Sequence, residues 1–202
     1  MKQDRREFLT GPALLAAVAR PGGETGETTA PNRAAAIEPV ARITRRLGIT
    51  GTRWKMVVGH HRGTAVGNAR IFDRYHRSHG MEHGLADHFV IGNGSRSGDG
   101  EIEIGGRWLH QLDGGHVHDD YVNHVGVGIG CVGNFEETKP TSAPEQSFTA
   151  LAGYLAHDGM GTDLRFAVHR EIDPGRTVCP GRHFPVAAMP ARFDSASRRH
   201  FQ

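Results

Sequence analysis

The sequence predicts an α/β domain with a single mixed central β-sheet flanked by helices. Short β-branched or apolar runs alternate with segments of helical periodicity along most of the 202 residues, the pattern of a layered α/β architecture. One run, HVGVGIGCVGNF (124–135), stays apolar and glycine-rich without polar alternation, as a central strand buried on both faces would. No internal repeat or heptad register competes with this reading.

At the amino end, Arg5-Arg6 precede an apolar run from Ala13 to Ala19 that closes on the small-x-small pattern Ala17-Val18-Ala19. That predicts a twin-arginine export signal over 1–19 and a periplasmic or cell-envelope location; the alternative is a basic, mobile N-terminus. The run is too short for a stable membrane span. Residues 20–50 read as a Gly/Thr/Pro-rich linker and a short helix (34–46) that starts or kinks at Pro39. The folded domain is expected over 51–185, with a C-terminal tail at 186–202.

Within that domain, KMVVGHH (55–61) predicts a buried strand delivering His60 or His61 to a sheet edge. NARIFDRYHRS (68–78) predicts a helix with Ile71, Phe72 and Tyr75 on one face. Residues 86–108 read as strand, glycine-rich turn, strand, hence a hairpin. The segment 142–159 predicts a helix opening on a Ser142/Glu145 capping box and burying Phe148, Leu151, Ala152 and Leu155. RFAVHRE (165–171) is another short strand ending in a histidine.

A net charge of +2 argues against a dedicated nucleic-acid binder. The 37% apolar content suffices for one core, and a monomer is expected. Only two cysteines occur. Cys131 sits in the apolar run and reads as a small buried hydrophobe. Cys179 sits in the polar turn AVHREIDPGRTVCPG (167–181), shortly after His169. Taken singly, a histidine at a strand end is a surface or hydrogen-bonded residue and a lone cysteine a packed thiol. Taken together, His60, His169 and Cys179 are a workable catalytic zinc site, two imidazoles and a thiolate with a fourth position open to water. Residue chemistry alone leaves both readings open.

The blocks MVVGHH, HFVIGNG with GEIEIGGRW, GGH followed by an asparagine, GVGIGCVGNF, AVHREI and TVCPG follow one another in this order. Together they resemble the zinc-dependent N-acetylmuramoyl-L-alanine amidases, the family of phage lysozyme-type amidases and peptidoglycan recognition proteins, over residues 52–185. The resemblance implies Zn²⁺ on His60, His169 and Cys179, with His61 as a neighbour. It implies peptidoglycan or muropeptides as partner, and hydrolysis of the amide between the muramic acid lactyl group and L-alanine. Zinc would polarise that carbonyl and supply hydroxide. A Cys131–Cys179 disulfide would destroy such a site, so both thiols are expected free.

The match carries departures. Where many members place a tyrosine, this chain has Asp87; where another branch places a glutamate on the central strand, it has Gly130; where some place a lysine, it has Thr177. Asp87 and Thr177 are thus the candidate catalytic residues beside the metal. Asp87 either replaces the missing base or marks a muropeptide-binding protein with weak or no hydrolysis. His116, Asn123 and Arg107 are candidate substrate contacts, with turn stabilisation as the alternative for His116 and Asn123 and hairpin capping as the alternative for Arg107. His88 is expected to be structural, packed beside Phe89 and turned away from Asp87.

Overall fold

Val57 and Val58, Phe89 and Ile91, and Val127 and Ile129 are β-formers that alternate or run together in short segments, and each segment forms a strand. The strands are β1 (Met56–His61), β2 (Phe89–Asn93), β3 (Asp99–Ile104), β4 (Gly126–Cys131) and β5 (Arg165–Val168). They make one mixed sheet, as expected, in the order β3-β2-β4-β1-β5. β1 runs parallel to both β4 and β5, β2 runs parallel to β4, and β3 closes the hairpin antiparallel to β2. The helices are α1 (Arg33–Arg46), α2 (Ala69–Ser78), α3 (Gly106–Leu109), α4 (Asp120–Val125), α5 (Ser142–Gly153) and α6 (His169–Ile172). α5 continues into a π-helical turn over Tyr154–Gly159. The computed structural model describes residues 33–49, 53–159 and 164–189. The expected export signal, the first part of the linker and the end of the tail lie outside the described residues. No helix among the described residues is long and apolar enough to cross a membrane.

The two faces of the sheet have different work. On one face Val57, Phe89, Ile91, Val127 and Ile129 pack against Phe148, Leu151 and Leu155 of α5 and its extension, and against Ile37 and Val40 of α1. On the other face a smaller cluster of Phe72, Leu85, Val90 and Val132 seats α2. The packed unit therefore begins at α1, earlier than the expected boundary at 51. It also reaches past 185, because Met189 is fully buried in the main core. The apolar stripe of α1 explains this: Ile37, Val40, Ala41 and Thr44 turn one side of the helix inward even though Pro39 lies inside it.

Three local expectations are corrected. α5 is capped by Thr141 rather than opened by a Ser142/Glu145 box, and the Thr141 hydroxyl donates to Asp99 Oδ1 at 3.1 Å. β5 stops at Val168, whose N–H donates to the Glu171 carboxylate at 3.0 Å, so His169 begins a helical turn instead of ending a strand. In α2 only Phe72 is buried; Tyr75 is exposed and packs against His76 and His79.

Candidate metal centre and cavity

Four of the five strands are parallel, so their carboxyl ends share one edge, the place where open α/β sheets present ligand sites. β1 and β5 are neighbours there. His60 arrives at the end of β1 and His169 immediately after β5. The period of two turns consecutive side chains to opposite faces, which separates the two histidines of the pair. His60 is buried and faces the cluster, whereas His61 accepts the Phe135 N–H at 3.0 Å and packs on the Phe135 ring. The turn after α6 then brings Cys179 back, held by its own N–H donating to Thr177 Oγ1 at 3.1 Å. Donor atoms of His60, His169 and Cys179 all lie within 4.8 Å of one another.

Hydrogen bonds assign the ring nitrogens. Gly126 O only accepts, so His116 Nε2 donates to it at 3.3 Å. Neutral His116 then accepts at Nδ1 from His60 Nε2, 3.1 Å away. That leaves the His60 Nδ1 lone pair facing Cys179 Sγ at 3.7 Å. Likewise His169 Nε2 donates to Asp173 Oδ2 at 3.0 Å, which leaves the other ring nitrogen, Nδ1, for a ligand. Burial, reinforced by His116 and His169, holds His60 well below its ordinary pKa, so it is neutral. Burial works against ionised Asp173, yet the His118 N–H and His169 outweigh it and hold its pKa below the usual value. Burial also pushes the Cys179 thiol up to about 12. Two imidazole lone pairs and a buried sulfur that ionises only against a strong positive charge are a donor set suited to zinc. Cys131 is free and buried, its thiol pushed up by burial, as expected of a packed hydrophobe.

The cluster opens on a cavity of about 250 Å³ lined by His60, His61, Arg62, Ala86, His116, His169 and Cys179 among others. Asp87 is not in its wall. Its carboxylate is fully buried and paired with Arg62, and Arg62 is the residue that reaches the cavity. Sequence reasoning missed Arg62; its one signal was the unexpected aspartate at position 87. Thr177 also stays out of the wall and holds the Cys179 turn. Asn123 shapes the loop that carries His116: its Oδ1 accepts the His116 and Val117 N–H groups at 3.0 and 3.2 Å, and its Nδ2 donates to Val117 O. Arg107 is buried and donates to the Leu85 and Asp113 carbonyls, clamping the loops on either side. His88 is fully buried, accepts the Gly128 N–H at 3.0 Å and donates to Leu112 O at 3.1 Å, the structural role expected of it.

β4 explains how so many polar groups fit on one face. Val127, Ile129 and Cys131 point into the main core, and Gly126, Gly128 and Gly130 alternate with them. A Cβ on Gly128 would lie 2.5 Å from His116 Cδ2, and one on Gly130 would lie 2.8 Å from Arg62 Cδ and 3.2 Å from Asp87 Oδ2. The glycine stripe is a trough in which His116, Arg62 and Asp87 rest.

A five-stranded α/β sheet bearing a His-His-Cys cluster at its carboxyl edge defines an α/β protein with a candidate catalytic metal centre. The family model of N-acetylmuramoyl-L-alanine amidase matches residues 50–182, and the chain belongs to that family. Among solved structures, the chain is similar to the endolysin N-acetylmuramoyl-L-alanine amidase LysCS of Clostridium intestinale, at 29% identity over 71% of this chain and 86% of that one, with a TM-score of 0.58. It shares the fold of bumblebee peptidoglycan recognition protein PGRP-SA, at 24% identity over 68% of this chain and 81% of that one, with a TM-score of 0.54. It also shares the fold of peptidoglycan recognition protein-LE, solved with tracheal cytotoxin, at 24% identity over 68% and 80% of the two chains, with a TM-score of 0.52. No curated protein sequence matches the chain.

Proposed function

We propose that this chain is a zinc-dependent amidase that cleaves the bond between N-acetylmuramic acid and L-alanine in peptidoglycan or its fragments. The observation that carries the reading is the convergence of donor atoms of His60, His169 and Cys179 within 4.8 Å of one another on the wall of one cavity, in a chain of the amidase family. Zinc held by these residues would polarise an amide carbonyl and bring the pKa of a water to about 7. The chain's own residues prepare that chemistry. His116 keeps His60 in the tautomer whose lone pair faces the cluster. Asp173 does the same for His169. Thr177 holds the backbone of Cys179. A muropeptide as ligand is supported by the fold relative solved with tracheal cytotoxin, a monomeric diaminopimelic acid-type peptidoglycan. Export through the arginine-paired N-terminus accords with a substrate outside the cytoplasmic membrane.

One observation favours a second reading, a muropeptide-binding protein with weak or no hydrolysis. Asp87, at the position of the family's tyrosine, is buried behind Arg62 and offers no base to the cavity. Purified protein, assayed for zinc and incubated with sacculi with and without a chelator, separates the two. Stoichiometric zinc with chelator-sensitive release of L-alanine amino ends is expected. Bound muropeptide without release would establish the binder, and protein that takes up no zinc would refute the zinc-dependent amidase.

A further inference from the structure

Three elements converge on the side chain of Arg62, which follows β1 two residues after His60. The Asp87 carboxylate, just before β2, pairs with its guanidinium. His76 Nε2 on α2 lies 3.0 Å from Nη2, and the Phe72 ring lies under Cζ at 4.6 Å. Gly130 on β4 leaves the volume the pair fills. The Arg62 side chain is only 13% exposed and that of Asp87 is not exposed at all. An ion pair buried this deeply is poor value as a stabiliser, since apolar residues of similar shape do as well or better. This one also leaves Arg62 Nε and Asp87 Oδ1 buried with no hydrogen-bond partner among the described residues. A costly, incompletely paired charge in the wall of a cavity points to use.

The cavity wall shows what the use is. Among its lining residues there is no carboxylate, and Arg62 is the permanent cation. Its planar fork is fixed from several sides before any ligand arrives, the condition under which a donor stabilises charge that develops during a reaction.

We propose that Arg62 is a catalytic residue of the amide hydrolysis, donating hydrogen bonds to the scissile carbonyl oxygen as negative charge grows there, and that Asp87 is the positioning residue that holds the guanidinium in the wall. The inference rests on the amidase reading above. In the step concerned, a water oxygen bonds to the carbonyl carbon, the C–N bond breaks, and a proton from that water leaves with the L-alanine nitrogen. Arg62 gives hydrogen bonds and transfers no proton.

The test uses the full-length, zinc-loaded protein and a muramoyl-peptide substrate, with kcat and KM measured separately. Arg62→Ala is expected to lower kcat by about 10²–10³ with little change in KM, and added guanidinium ion is expected to restore part of the loss. Arg62→Lys, which lacks the planar fork, is expected to recover little. Asp87→Asn is expected to lose a smaller factor, again in kcat. Because Arg62→Ala strands a buried carboxylate, the double variant Arg62→Ala/Asp87→Ala keeps the test open. It removes both charges, and is expected to melt near the parent, retain zinc and still lose kcat. A folded, zinc-loaded double variant with the parent's kcat would overturn the proposal. So would a loss confined to KM, which would mark Arg62 as a ground-state binding group. A parent that binds zinc but releases no peptide would overturn the amidase reading itself, and this inference with it.

Discussion

At the scale of single residues, the candidate metal cluster depends on groups outside it. Asp173 Oδ2 accepts from both the His169 ring and the His118 N–H, the latter at 2.8 Å, so one carboxylate ties the tautomer of a ligand to the loop that carries His116. Removing its charge should loosen both. Asp173→Asn is expected to weaken zinc binding by about 10–100-fold, read by competition with a chromophoric chelator, with the far-UV circular dichroism of the metal-free protein unchanged. The three members of the cluster were legible in the sequence because each sits in a recognisable short block. Which member of the His60-His61 pair faces the cluster was legible only through the family resemblance, since alternation separates them without saying which face is which. Arg62 was invisible for a related reason. An arginine after two histidines says nothing until Asp87, 25 residues further on, is seen beside it.

At the scale of elements, β4 carries the lesson. Its burial on both faces could be read from its composition, but the purpose of its glycines could not, because the side chains that need the space come from other segments. Gly128→Ala makes this testable. The new Cβ would stand 2.5 Å from a buried His116 ring that also holds His60. Overpacking of this kind costs about 1–3 kcal/mol; the variant is expected to melt lower and to bind zinc more weakly, and a melting temperature and zinc affinity equal to the parent's would contradict the trough. Element ends were the least legible feature. Thr141 spends its hydroxyl on Asp99, and Glu171 reaches back to Val168; the first contact joins residues 42 apart and the second only three. Neither leaves a mark in local periodicity.

At the scale of the whole molecule, buried histidines set the response to acid. Burial, helped by His116, lowers His88 to about 3 from an ordinary value of 6.5. The folded chain therefore refuses a proton that the unfolded chain accepts between those values. Stability from this group is complete above about pH 6.5 and is lost as pH falls towards 3, at up to about 1.4 kcal/mol per pH unit. His60 and His116, lowered chiefly by burial, act in the same direction. Urea titrations from pH 7 to pH 4 are expected to show falling stability, with a shallower slope for His88→Asn. Equal slopes would assign the acid sensitivity elsewhere. The overall sheet was foreseeable from alternating strands and helices. The inclusion of α1 and Met189 in the core was not, because their apolar faces acquire meaning only from the surface they cover.

The space above Gly130 admits one tenant. A side chain there and the Arg62–Asp87 pair exclude each other by volume, so the three positions cannot change independently. Gly130→Glu alone should be damaging, whereas the same change after both Arg62 and Asp87 are cut back to alanine should be tolerated. Single substitutions at these three positions are therefore expected to cost more than the matched set, read as melting temperatures of the single and triple variants.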